Sequence, residues 1–172
     1  MIPACYDLKN KQMSRHLQGN ACGTIIVDNY NVEQIAVFLE NGFERLTEVT
    51  NLLAENGINI RALSLADTAA YGILRLIVND TEKAKQILNE GGFTVRGSEV
   101  LVIEVPDRPG GTASVLQTIK EKGLQIEYMY AFAQGNGESA LIIFRFADPS
   151  SAIDILTKAE LRLLTSEEVY AL

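Results

Sequence analysis

Five consecutive residues with distinctive chemistry lie at a predicted corner between a strand and a helix: Asp107, Arg108, Pro109, Gly110 and Gly111. The apolar run "LVIEVP" precedes them and the helical pattern "TASVLQTIKE" follows. The first N–H groups of a helix lack an acceptor within the helix, and the helix dipole adds partial positive charge there. Because glycine also lets a ligand approach the backbone, such a corner can bind a carboxylate or phosphate. The alternative is an ordinary turn, with Asp107 as the helix cap and Pro109 in the first turn.

The elements that position this corner occur twice in the chain. A shift of 66 positions aligns residues 35–64 with 101–130, and two further inserted residues align 72–88 with 140–156. The apolar positions match in both copies, so the chain is predicted to contain two copies of one unit.

Each copy has the predicted order βαββαβ, with period-two strands and amphipathic helices. In the first copy Gly57 ends the first helix, Asp80 caps the second, and Gly91 and Gly92 end it. The predicted elements of the first copy cover about 35–39, 43–56, 58–66, 71–78, 80–90 and 93–95. Those of the second cover 101–105, 110–122, 124–133, 139–146, 149–159 and 161–164, and the capping-box spacing of Thr165 and Glu168 predicts a last helix over 165–171.

This order predicts an α+β fold of two ferredoxin-like units side by side, with antiparallel sheets and helices on one face. We expect an N-terminal extension over 1–30, which we predict to be flexible, a first domain over 31–98, and a second over 99–172 that includes the short C-terminal helix.

The sheet face without helices is also rich in apolar residues. Ala36, Phe38, Ile73 and Ile77 fall on the strand parity opposite the helix-facing residues. A sheet that is apolar on both faces needs cover on both, so we expect the other repeat, another chain, or both to cover this face.

Two arginines and an aromatic stripe also lie on predicted strands. Arg75 and Arg145 lie on third strands, where a sheet-face ion pair or solvent contact is favoured over an acidic ligand. Tyr128, Tyr130 and Phe132 alternate along one strand, which is typical of a core or an interface.

Composition argues against several classes of function. The net charge is −7, and the halves 34–99 and 100–172 carry 6 basic against 9 acidic and 6 against 10 residues, with no basic block for nucleic acid. No apolar run is long enough to span a membrane and no signal core is present, so we expect a cytoplasmic protein. Cys5, His16 and Cys22 lack CxxC spacing, so no metal site is expected.

The duplicated unit, the "DRPGG" corner and the strand entries "GINI" and "GLQI" resemble the ACT domain. The resemblance covers about residues 34–164. Over this range the chain resembles two ACT domains in tandem, of the type that stands alone and binds amino acids. It implies domains that pair side by side and bind a small ligand at their interface, where the first loop of one domain faces the second strand of its partner. By position, the implied ligand-binding residues are Asn41, Gly42, Phe43, Glu44 and Arg45 in the first loop, Asp107, Arg108, Pro109, Gly110, Gly111 and Thr112 in the second, and Asn59, Ser64, Gln125 and Tyr130 on the second strands.

The first loop departs from the family pattern because Glu44 occupies the usual glycine position. Asn41 and Glu44 have capping-box spacing, so Glu44 is predicted to satisfy its own helix start and to repel a ligand carboxylate. We therefore expect asymmetry: the second loop, closed by Asn59, is the better site.

The resemblance implies a non-catalytic regulatory protein that senses a free amino acid or similar small carboxylate, needs no cofactor, forms a homodimer, and has a regulated enzyme as candidate partner. Three alternatives remain open. An acylphosphatase-like enzyme would use Arg45 or Arg108 with Asn59, an RNA-binding protein would stack bases on sheet aromatics, and a structural module would only dimerise.

Overall fold

The computed structural model describes residues 6–7, 12–13, 29–39, 43–67, 72–133 and 139–172. Most of the predicted extension over 1–30 lies outside these residues, as do Cys5, His16, Cys22, Asn41 and Gly42. Within the extension, strands β1 (Tyr6–Asp7) and β2 (Gln12–Met13) pair antiparallel.

The first unit follows the predicted βαββαβ order. Its elements are β3 (Val32–Leu39), α1 (Phe43–Glu55), β4 (Ile60–Asp67), β5 (Gly72–Val78), α2 (Thr81–Glu90) and the first half of β6 (Thr94–Pro106). Gly57 follows α1 with a φ of 71°, a left-handed conformation that glycine adopts without strain. Asp80 caps α2, since its side chain accepts a hydrogen bond of 3.1 Å from the N–H of Lys83.

The second unit repeats the plan. The second half of β6 is followed by α3 (Gly111–Glu121), β7 (Ile126–Ala133), β8 (Ser139–Phe146), α4 (Pro149–Lys158), β9 (Leu163–Leu164) and α5 (Ser166–Ala171). Asp148 caps α4 through the N–H of Ser151. The predicted capping box of Thr165 and Glu168 is present at the start of α5.

The two units share one uninterrupted strand. The sequence pattern predicts separate strands at 93–95 and 101–105, and this prediction was wrong because β6 runs without a break for 13 residues. Its first half pairs with β3 from Val32 opposite Val100 to Phe38 opposite Thr94. Its second half pairs with β8 and β9. The predicted domain boundary at 98/99 therefore lies inside a strand.

The strand order is β4-β5-β3-β6-β8-β7, with β9 also paired to β6. All the pairs are antiparallel. The second strands of the two units, β4 and β7, are therefore the two ends of this order, and four strands separate them.

Each unit has its own core between its sheet and its two helices. The first centres on Ile35, Leu53 and Leu76, and the second on Leu101, Ile119 and Phe144. A third buried cluster joins the opposite sheet faces, which we call the inner faces; its members are Val32, Ala62, Ile77, Val100, Val102, Leu141, Ile143, Leu164 and Val169. The other repeat therefore supplies cover for the second apolar face, as one of the predicted arrangements required.

The aromatic stripe packs on the inner-face cluster. Tyr128, Tyr130 and Phe132 all lie against it, together with Tyr170 of α5. This confirms the prediction that the stripe belongs to a core or an interface.

Candidate functional site

The predicted corner lies between β6 and α3. β6 ends at Pro106, the next four residues are exposed, and α3 begins at Gly111. The Arg108 N–H donates to the Pro106 carbonyl at 2.9 Å, and the Gly111 N–H donates to the Arg108 carbonyl at 3.0 Å. These two bonds hold the loop as a tight turn above the helix start.

Two glycines are needed for this turn, for different reasons. Gly110 is the N-cap residue and has a φ of 92° and a ψ of −11°, in the left-handed region. A Cβ atom on Gly110 would meet nothing within 4 Å, so the constraint there is conformational. Gly111 is buried, and a Cβ atom on it would lie 2.1 Å from the Pro106 carbonyl oxygen. The constraint at Gly111 is therefore steric.

The first turn of α3 presents free backbone donors. The N-cap residue makes no side-chain hydrogen bond to the helix, so the alternative with Asp107 as the cap was wrong. Within the described residues, no acceptor meets the N–H groups of Thr112 or Ala113. Both residues are exposed. Two N–H groups at the positive end of a helix are therefore available to an anion.

The corresponding turn of the first unit differs because an acidic residue lies at the start of its helix. Glu44 is the acidic residue of the first turn of α1. Arg45 pairs with Glu48 and lies over the ring of Phe93, 4.2 Å from its centre. The predicted capping box of Asn41 with Glu44 lies outside the described residues, as does the Phe43 side chain.

The polar residues predicted to close the sites lie at the starts of the two end strands. Asn59 precedes β4, is exposed, and exchanges hydrogen bonds with Asn79 at 2.8 and 3.1 Å. Gln125 precedes β7, is exposed, and accepts a hydrogen bond from the Ala147 N–H at 3.2 Å. Among the described residues, no hydrogen bond or ion pair joins either residue to the 107–112 turn. Within the described residues, the predicted closure of the turn by Asn59 is therefore not made by a hydrogen bond.

Ser64 and Tyr130 lie on the inner faces rather than beside the loops. Ser64 is opposite Arg75 in the pairing of β4 with β5. The Tyr130 hydroxyl donates to Oε1 of Gln34 at 3.0 Å, and burial raises the pKa of Tyr130 well above its usual value. Tyr130 therefore stays protonated and acts as a hydrogen-bond donor between the units.

Gln34 is a polar residue that the sequence prediction missed. It is fully buried, and its Nε2 donates to the Tyr128 hydroxyl at 2.8 Å and to Oγ of Ser98 at 3.0 Å. The available signal was its position between Val32 and Ala36 on the inner face, where a lone amide must find partners.

Of the two strand arginines, Arg145 makes the predicted sheet-face ion pair, whereas Arg75 makes a cation–π contact that was not predicted. Nε of Arg145 lies 3.4 Å from Oε2 of Glu127, and its Nη1 donates to the Glu99 carbonyl at 2.6 Å. The guanidinium of Arg75 lies over the ring of Tyr128, 4.1 Å from its centre.

A family model for the ACT domain pair matches residues 30–172. The chain belongs to the ACT domain pair family. The match includes β3 through α5, and therefore both units and the shared strand. No curated protein matches this ACT domain pair.

Solved structures agree with this assignment. Protein BT0572 from Bacteroides thetaiotaomicron is 38% identical, with a TM-score of 0.80 over 84% of this chain and 99% of that one. The regulatory subunit of aspartate kinase from Thermus flavus has the same fold, with 15% identity and a TM-score of 0.58 over 76% of this chain and 91% of that one. The corresponding subunit from Thermus thermophilus, in a ligand-free form, gives 16% identity and a TM-score of 0.53 over 77% and 94%.

Membrane-spanning helices and clustered metal ligands are both absent from the described part of this ACT domain pair. In the part of the chain that the structure describes, no helix is both long and apolar enough to cross a membrane. The same residues contain no group of three or more His, Cys, Asp or Glu side chains placed to hold a metal ion.

Proposed function

We propose that this ACT domain pair is a non-catalytic sensor of a free amino acid or a similar small carboxylate. The observation that carries the proposal is the uncapped start of α3, where the N–H groups of Thr112 and Ala113 meet no acceptor among the described residues. A carboxylate seated there would accept both hydrogen bonds and gain from the helix dipole. Asp107, Arg108 and Pro109 form the exposed rim of this seat.

A second copy of the chain completes the site in this proposal. Among the described strands, β4 and β7 each pair with only one neighbour and end the strand order. The exposed large hydrophobic residues of the described chain, Leu63, Leu65 and Met129, all lie on these two strands. If β4 of one copy pairs with β7 of the other, Asn59 approaches the partner's second loop. A two-fold axis makes this pairing twice, which gives a homodimer.

The two loops contribute unequally. Glu44 already places a carboxylate in the first turn of α1. A ligand carboxylate at about 4 Å from it would be repelled by about 1 kcal/mol in water and by more in a partly buried site. The equivalent turn of α3 contains no acidic residue. The first loop, from Asn41 to Arg45, with Gln125 facing it, is therefore the weaker site.

The rival functions find less support. RNA binding on sheet aromatics needs accessible rings, whereas Tyr128, Tyr130 and Phe132 pack between the inner faces. An acylphosphatase-like site needs an arginine beside an asparagine. Arg45 is paired with Glu48, and no bond joins Arg108 to Asn59 in the described chain. A structural dimerisation module remains as the second candidate, because the exposed edge leucines serve it equally well.

We propose that the sensor acts through its own assembly or through a regulated enzyme in the cytoplasm. The Thermus flavus structure is a regulatory subunit of aspartate kinase, which is an example of a separate regulatory chain with this fold. Amino-acid binding that changes the dimer contacts at β4 and β7 would transmit the signal.

A thermal-shift screen of the common amino acids tests the proposal. A ligand that binds only the native state, at about 100 times its Kd, stabilises by about 2.7 kcal/mol and raises Tm by about 5–10 °C. The structural module predicts no shift with any amino acid.

The seat itself is tested by the matched pair Gly110→Asp and Gly110→Asn. Both residues tolerate the left-handed backbone, but only Asp adds a carboxylate. We expect Gly110→Asp to abolish the shift and Gly110→Asn to retain most of it. Loss of binding in Glu44→Gln, with no loss in Gly110→Asp, would contradict the proposed seat.

A further inference from the structure

A groove separate from the loops opens between the inner faces of the two units. It has a volume of about 260 Å³. Its lining includes Phe38, Ile73, Arg75 and Arg96 from the first unit, and Tyr128 and Arg145 from the second. Both units therefore contribute to one concave surface. None of these residues belongs to the 107–112 turn, from which Arg96 is separated along β6 by up to about 35 Å of extended chain.

Strand register explains why arginines converge on this groove. Ala36 lies opposite Arg75 in β5 and opposite Arg96 in β6. The three residues therefore form one row across adjacent strands, with a methyl group between two guanidinium-bearing side chains. Strands in a sheet are about 4.8 Å apart, so the two arginine backbones are separated by about 10 Å. The small central residue leaves room between the arginines for a ligand.

The next row supplies an apolar floor. Phe38 lies opposite Ile73 in β5. Both side chains are half-buried and line the groove. A ligand held between the arginines therefore rests its body against an aromatic ring and a branched aliphatic side chain, which suits an apolar or aromatic group.

The charge of the groove is opposite to that of the protein. Arg75, Arg96 and Arg145 line it together with a single acidic residue, Glu127, although the chain carries a net charge of −7. Arg145 is paired with Glu127. Within the described residues, Arg75 and Arg96 make no ion pair or hydrogen bond, and their guanidiniums lie 4.1 and 5.8 Å from the ring centres of Tyr128 and Phe38. Two guanidinium groups therefore keep their N–H donors available.

We propose that this inter-repeat groove binds a compact organic dianion with an apolar body, such as an aryl phosphate or an aryl dicarboxylate. The anionic group lies between Arg75 and Arg96, where guanidinium donors suit the planar oxygens of carboxylate and phosphate. The apolar body lies on Phe38 and Ile73. Because Tyr128 and Arg145 come from the other unit, such a ligand bridges the repeats and stabilises their packing. This is a second ligand site, independent of the amino-acid seat at α3.

Phenyl phosphate and phthalate are the probes for this site, one with a phosphate and the other with two carboxylates. We expect calorimetry to detect binding of at least one of them, and we expect inorganic phosphate and benzoate to bind at least about tenfold more weakly. The tighter probe identifies the preferred anionic group. In a ¹⁵N spectrum the amide signals of Gly97 and Ser98 should move and those of Thr112 and Ala113 should not.

Arg96→Gln is the decisive variant because Arg96 is exposed and its loss breaks no hydrogen bond or ion pair among the described residues. We expect it to weaken probe binding by about tenfold or more. Lys122→Gln, which removes the same charge from an exposed site outside the groove, should bind like the wild type. Absence of binding by both probes, equal binding by Arg96→Gln, or shifts confined to the α3 amides would overturn the proposal. The amino-acid screen is unaffected by any of these results.

Discussion

Nε of Arg61 in β4 donates a hydrogen bond of 3.0 Å to the main-chain carbonyl oxygen of Tyr170 in α5. The Tyr170 hydroxyl in turn accepts a hydrogen bond of 3.0 Å from the N–H of Glu33 in β3. One residue of the C-terminal helix therefore contacts two strands of the first unit. The short last helix joins the two repeats in addition to the shared strand β6.

Replacing Tyr170 by Phe tests this contact. The variant keeps the ring on the inner-face cluster but removes the acceptor of the part-buried Glu33 N–H. We expect a loss of about 1 kcal/mol in the free energy of unfolding, measured by urea denaturation. An unchanged unfolding midpoint would show that the hydroxyl contributes nothing to the joining of the units.

The buried amide of Gln34 provides a second prediction. Gln34→Leu leaves the Tyr130 hydroxyl without its acceptor and removes the donor to Tyr128 and Ser98. Each buried polar group left without a partner costs about 1–3 kcal/mol, so we expect a loss of at least about 2 kcal/mol in urea denaturation.

The double variant Gln34→Leu with Tyr130→Phe is the control for this mechanism. It removes the orphaned hydroxyl as well, so it should be more stable than Gln34→Leu alone. If the two substitutions instead add, the hydrogen bonds between Gln34 and Tyr130 do not account for the loss.

Local signals in the sequence were sufficient for most elements. The cap residues Asp80 and Asp148, the stop at Gly57, and the capping box of Thr165 and Glu168 all act within a few residues of themselves. Helix caps and stops depend on residues that are close together in the chain, so a single sequence is enough to predict them. Because the same order of elements occurs twice in the chain, these local predictions together predicted the fold of two similar units.

The continuity of β6 was not predictable in the same way. The stretch "RGSEV" interrupts the apolar pattern with glycine and polar residues. It is nevertheless extended because residues 94–100 pair with β3 along their whole length. This pairing with β3 is a tertiary requirement that no local pattern contains.

The candidate site was only partly predictable for a related reason. The turn at 107–111 follows from local residue types, and the structure places it at a helix start as predicted. Which residues face the turn depends on how the sheets are arranged. β4 and β7 end the strand order, and no hydrogen bond among the described residues joins Asn59 to the turn, so the closing residue stays a prediction.

The two glycines of the turn should respond differently to alanine. Gly110→Ala introduces backbone strain at a φ of 92° without a clash, and we expect a loss of about 1 kcal/mol. Gly111→Ala places Cβ 2.1 Å from the Pro106 carbonyl oxygen, so the strand or the helix must move. We expect a larger loss for Gly111→Ala in urea denaturation. Equal losses would mean that the close approach of Pro106 does not constrain the turn.

The capping box predicts a pH dependence of stability. The pKa of Glu168 is lowered from 4.5, chiefly because its carboxylate accepts the Thr165 N–H and also because it pairs with Arg162. A depressed folded-state pKa contributes stability above the unfolded pKa, and this contribution is lost as pH falls through the folded-state value. The Tm difference between wild type and Glu168→Gln should therefore be constant near neutral pH and decrease below about pH 4.5.

Glu167→Gln is the matched control for this pH dependence. Glu167 is exposed and makes no ion pair or hydrogen bond through its side chain among the described residues. Its Tm difference from the wild type should stay small across the same range. The Tm difference between the wild type and Glu168→Gln should be measured to about 0.5 °C at pH 3 and at neutral pH. Equal differences at the two pH values would argue against a charged cap.

Lysine at the edge of β4 should weaken the proposed homodimer. Leu63 and Leu65 expose 58% and 47% of their surface on the helix-side face of this end strand, opposite Leu76 and Leu74 in the register. Burying a leucine contributes about 1.5–3 kcal/mol, and a two-fold axis counts each substitution twice. We expect Leu63→Lys to raise the dimer dissociation constant at least about a hundredfold in sedimentation equilibrium.

Asn51→Lys on the exposed surface of α1 adds the same charge and should leave the constant unchanged. If both variants dimerise like the wild type, the end strands do not form the interface, and Asn59 must be removed from the proposed site.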